Sequence, residues 1–86
     1  MDTERAIEEL LALPQLKDSS ARGRFFCGEI ADAATYLAED IAEFRVSITE
    51  EQRQALLRGI SEYAHGDQEV FSAYARLLES SDSEAM

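Results

Sequence analysis

Residues 18–44, DSSARGRFFCGEIADAATYLAEDIAEF, decide the fold of this chain. Within them Phe26, Ile30, Ala34, Leu37, Ile41 and Phe44 follow one another at spacings of three and four residues. That rhythm is the seam of a helix packed on other helices. Asp18, Ser19 and Ser20 are residues that cap a helix start. Gly23 and Gly28 each weaken the first half by about 1 kcal/mol relative to alanine. Either they permit close backbone approach or the helix begins after them. Spacing alone leaves both readings open.

Upstream, Asp2 or Thr3 caps a short first helix whose apolar face is Ile7, Leu10 and Leu11. Pro14 disfavours helical geometry at Leu13 and stops it there. Gln15 to Asp18 read as a connector, with Leu16 turned back onto the core. Downstream, Val46-Ser47-Ile48 is a break, and Thr49-Glu50-Glu51-Gln52 is a capping box. A third helix follows with Leu56, Leu57, Ile60 and Ala64 inward. Gly66 is its expected left-handed terminator. Asp67 caps a fourth helix carrying Val70, Phe71, Tyr74, Leu77 and Leu78. Four glycines and one proline in 86 residues argue against a turn-rich sandwich or barrel. The expected fold is all-α: a compact helical bundle of three to four helices, one domain over residues 1–79. A disordered, acidic C-terminal tail is expected over residues 80–86.

Eighteen acidic and eight basic residues leave a net charge of -10. Bare nucleic acid requires cationic side chains to displace its counterions, so direct nucleic-acid binding is not expected. Helices three and four could be read as a helix-turn-helix, but the would-be recognition helix carries Glu69 and Glu79 against Arg76. Anionic membranes are disfavoured on the same ground. No apolar run approaches a membrane span, and the N-terminal Met1-Asp2-Thr3-Glu4-Arg5 lacks a signal peptide's apolar stretch. With Cys27 the only cysteine, no internal disulfide forms, and a cytoplasmic, reducing setting is expected. Cys27 itself reads as a buried small hydrophobe. Arg22 and Arg24 would lower its pKa only if they lay close.

On a helical wheel Glu29, Asp32, Glu39, Asp40 and Glu43 fall on one side of the long helix, opposite or flanking its apolar seam. Tyr36 lies near the centre of that side and Phe25 near its N-terminal end. Like charges at these spacings cost a few tenths of a kcal/mol per pair. Folding alone gives no reason to gather them, although a solvated face is the ordinary use of a charge run. Aromatic anchors among charges are common in interaction surfaces. The candidate partner-binding residues are therefore Phe25, Glu29, Asp32, Tyr36, Glu39, Asp40 and Glu43. The expected partner is a protein with a basic surface, most naturally one that handles nucleic acid. Occupying that surface would make the chain an inhibitor, by the physical logic that DNA mimics, anti-restriction and anti-CRISPR proteins, antitoxins and immunity proteins share.

Two other readings stand beside it. One is a structural adaptor, small chaperone or subunit held through apolar helix packing. The small-residue stripe Cys27, Ala31, Ala34, Ala38 and Ala42 fits either intrachain packing or a homodimer seam. The other is a dimeric metal-binding bundle built on Glu62 and His65, an i, i+3 pair that a symmetric partner would double. Against it, a histidine in a last helical turn ordinarily serves the helix dipole. No metal and no cofactor are expected in the single chain. Nor is an enzyme expected, since Glu39 and Glu43 have no sequence feature that would split their pKa values for acid–base work.

Overall fold

The computed structural model describes the backbone of residues 1–84 and the side chains through Glu79. Among the described residues five helices make a bundle: α1 (Thr3–Leu11), α2 (Ala21–Phe26), α3 (Ile30–Phe44), α4 (Glu50–Ala64) and α5 (Gln68–Glu84), with one 3-10 turn at Pro14–Leu16. There is no strand among the described residues. Helix α5 is assigned through Glu84, while the side chains of the expected tail from residue 80 onward and all of residues 85 and 86 lie outside the described residues.

Three helix starts are capped as the sequence implies, whereas at the start of α2 the Ser20 side chain makes no cap bond and the Ser19 hydroxyl accepts the Ala21 N–H instead. Asp2 accepts the Arg5 N–H at 2.8 Å and opens α1. Thr49 and Gln52 exchange both bonds of the capping box, at 2.9 and 3.1 Å. Asp67 accepts from the N–H groups of Glu69 and Val70 at 3.0 and 3.1 Å. Leu13 is extended ahead of Pro14, and Leu16 is fully buried. At the end of α4 the left-handed turn takes two residues, His65 at φ 52° and Gly66 at φ 86°.

The long helix is broken. Gly28 stands at φ 81°, its N–H donates to Phe25 O at 3.0 Å, and the Glu29 N–H donates to Arg24 O at 3.0 Å. This pair of bonds is a Schellman termination with glycine just past the cap. Residues 18–44 therefore hold two helices, and the seam does not run through Phe26. That ring is 76% exposed while Phe25 packs against the core, the reverse of a continuous helix. Phe44, at the other end of the same seam, is also exposed, at 52%. The middle of the seam holds: Ala34, Leu37 and Ile41 are fully buried.

Helices α3 and α4 form the central pair, and α1 and α5 each pack against both. Helix α2 folds back along α3. Ile7, Leu10, Leu16, Leu37, Ile41, Leu56, Ile60 and Leu78 fill the core. The centre of the small-residue stripe, Ala34 and Ala38, is consumed by this packing, with Ala31 and Ala42 half-buried. The closest approach is at Gly59. A Cβ there would lie 2.7 Å from Thr3 Cγ2 and 3.1 Å from Ala34 Cβ. Thr3 is pinned at that point because its hydroxyl donates to Ala55 O at 2.6 Å.

Candidate functional site

The outward face of α3 carries the acidic strip, but folding divides it. At its N-terminal end Glu29 and Asp32 are met by Arg24 of α2, whose Nη1 lies 3.6 Å from each carboxylate. The same guanidinium lies 4.9 Å from the centroid of the Tyr36 ring, and its Nη2 donates to the Tyr36 hydroxyl at 3.0 Å. The phenol first, then the two carboxylates, hold the guanidinium's pKa above its ordinary value. Tyr36 is half-buried against the core, so it is an oriented platform rather than a free anchor. Nothing in the spacing of residues 29–45 announces Arg24. It reaches the strip only because Gly28 turns α2 back on α3.

At the C-terminal end the strip is open. Glu39 and Glu43 are exposed. Asp40 is half-buried, because it borders the flank of α3 that faces the connector after the 3-10 turn. Of the seven residues expected on one surface, Asp32, Tyr36, Glu39 and Glu43 share the outer face of α3, with Glu29 at its N-cap. Phe25 belongs to α2 and packs inward, and Asp40 turns toward a cleft. The aromatic left largely exposed near the strip is Phe26, three residues before Glu29, its ring tilted against that of Phe25 at 6.3 Å. Its signal in the sequence is Gly28 two positions later, which places Phe26 in the last turn of a helix rather than inside one.

On the other flank, α5 forms an open groove of about 670 Å³ lined by Tyr63, Val70, Ala73, Tyr74 and Leu77, with Glu39 at its edge. Tyr63 and Tyr74 meet edge to face at 5.9 Å. Burial first, then the charge of Glu39, raises the Tyr74 pKa above the ordinary phenol value. The fold therefore favours neutral Tyr74. Its contribution to stability is complete below the ordinary phenol range and is lost as pH rises through the raised value. In a titration followed by tyrosinate absorbance, Glu39→Gln is expected to bring this ionisation down toward its ordinary position. An unmoved curve would place Glu39 outside the field of Tyr74.

Cys27 is exposed, not buried: it caps the C-terminus of α2 at the corner that Gly28 turns. Arg22 is engaged away from it, donating to Leu11 O at 2.8 Å. Glu62 and His65 are exposed at the end of α4, and no group of three His, Cys, Asp or Glu side chains suited to a metal is gathered among the described residues. Among those residues no helix is long and apolar enough to cross a membrane. Compared with protein-family models, with curated proteins and with solved structures, the chain matches none.

Proposed function

We propose that this chain is a small acidic binding protein that inhibits a nucleic-acid-handling protein by occupying its basic surface. The observation that carries the reading is the outer face of α3. Glu39 and Glu43 project without an apolar purpose, on a chain of net charge -10, and the 76% exposed ring of Phe26 stands at the other end of the strip. Carboxylates steer and orient a cationic partner, while an exposed aromatic supplies the apolar area that fixes it. The Arg24 clamp on Tyr36 and Asp32 stiffens the platform between them. No catalytic step of its own is proposed. An exposed free thiol at Cys27 fits a reducing, cytoplasmic setting.

Two variants test this. Glu39→Lys with Glu43→Lys reverses the open half of the strip and leaves Asp40 and the Arg24 cluster untouched. Phe26→Ala removes the anchor. The partner is to be captured from nuclease-treated host lysate at low and high salt, identified, and its affinity measured. Charge reversal is expected to abolish low-salt binding and the salt dependence with it. Phe26→Ala is expected to cost about 2 kcal/mol, roughly thirtyfold in Kd. Helicity and melting should stay within about 0.5 kcal/mol of the parent, since all three side chains are exposed. A partner held equally by both variants and at both salts overturns the reading. That result would favour the adaptor alternative, for which the apolar groove of Tyr63, Val70 and Leu77 is the supporting observation.

A further inference from the structure

Between the connector before α2 and the last two turns of α3 lies a polar cleft of about 300 Å³. Lys17, Asp18, Ser19 and Ser20 line one wall, and Asp40 and Phe44 line the other. Asp40 is the unusual member. Its Oδ2 is sealed from solvent and has no hydrogen-bond partner among the described residues. Buried carboxylate oxygens are costly unless a donor meets them, and an unmet one calls for an explanation. Phe44 poses a second question, because a ring 52% exposed at the end of a core seam gains little from folding.

One chemistry answers both. We infer that the cleft is the receptor for a guanidinium group, with Asp40 as its acceptor and the Phe44 ring as its stacking surface. A guanidinium is planar, permanently charged, weakly hydrated and rich in donors, so it bonds a carboxylate while lying on an aromatic face. The terminal torsion of aspartate is soft, and a small rotation brings the sealed oxygen to a donor that enters. Ser20 and Asp18 add acceptors at the mouth. Lys17 opposes, as a like charge on the same wall. Asp40 is the neighbour of Glu39 and lies three residues before Glu43. The cleft thus opens beside the strip, and the guanidinium is an arginine side chain of the partner. That last step rests on the function proposed above, whereas the recognition chemistry does not.

The experiment needs no partner. N-acetylarginine methylamide, agmatine and N-acetyllysine methylamide are titrated into the whole protein, and backbone amide shifts are followed by NMR. The arginine derivative is expected to give saturable shifts at Ser19, Ser20, Asp40 and Phe44. Asp40→Asn should weaken it by about tenfold, the value of one charge-assisted hydrogen bond. Phe44→Ala should weaken it less, and Lys17→Ala should tighten it. The lysine derivative should bind more weakly. Because Phe44 is exposed, its variant keeps the test alive if Asp40→Asn is poorly folded. Shifts spread evenly over all acidic surfaces, or unchanged in both variants, would sink the inference. Binding of agmatine without the arginine derivative would make the cleft a small-molecule site and overturn its assignment to a partner side chain. If arginine binds the cleft but Glu39→Lys with Glu43→Lys leaves partner affinity intact, the cleft stands and the function proposed above fails.

Discussion

Gly59→Val is expected to unfold this protein substantially. The Cβ of any residue at position 59 would come within 2.7 Å of Thr3 Cγ2 and 3.1 Å of Ala34 Cβ. Valine adds two more methyl groups, and in a helix it has essentially one rotamer with which to place them. Overpacking of this kind costs about 3 kcal/mol at the upper end of its usual range. At 4–8 °C per kcal/mol for a domain of this size, melting should fall by roughly 15 °C or more. Gly59→Ala is the graded control. It meets the same two atoms but gains about 1 kcal/mol of helix propensity, so a smaller net loss is expected. Thr3→Ser keeps the hydroxyl that donates to Ala55 O while deleting the clashing methyl. Combined with Gly59→Ala it should recover most of the loss. If the two changes are simply additive in urea unfolding, the close approach of α1, α3 and α4 at Gly59 is wrong.

Leu37→Ala should cost about 2–5 kcal/mol, the usual range for removing a buried leucine. Leu37 has no exposed surface and lies at the middle of α3, the helix that every other helix touches. A domain of this length carries stability of roughly 5–10 kcal/mol, so the variant should be marginal at body temperature. The informative comparison is Phe44→Ala, from the same three-and-four-residue row. Its ring is 52% exposed, so truncation should cost less than about 1 kcal/mol despite the larger side chain. Equal losses at the two positions would mean that Phe44 is a core residue and would remove the stacking surface from the cleft.

These comparisons mark how far local pattern carries. Asp2, Pro14, Thr49, Gln52 and Asp67 act through bonds or sterics that span four residues or fewer, so their roles can be read directly. The inward rows of α1, α4 and α5 follow from helical periodicity, which holds wherever the helix is uninterrupted. The same periodicity misplaces Phe25 and Phe26, because the helix does not continue through Gly28. One residue at positive φ changes the direction of the chain, and the wheel loses its phase. Cys27 falls to the same cause: it is exposed because it caps a helix end at that corner.

What the sequence determined by itself is the class of the protein: all-helical, strongly acidic and single-cysteine, with five of its eighteen carboxylates on one side of a single helical segment. Only tertiary structure decided which of those carboxylates stay available. Arg24 lies five residues from Glu29 and eight from Asp32, on a different helix, and it compensates both because α2 is folded back onto α3. Asp40 is set apart from Glu39 and Glu43 by a connector 20 to 26 residues upstream that closes over its flank of the helix. Gly59 matters because α1 and α3 cross it, which its own helix cannot show. Periodicity reports which way a side chain points, but charge compensation and close packing depend on what a distant segment brings to that side. That pairing is set by the burial of the core as a whole.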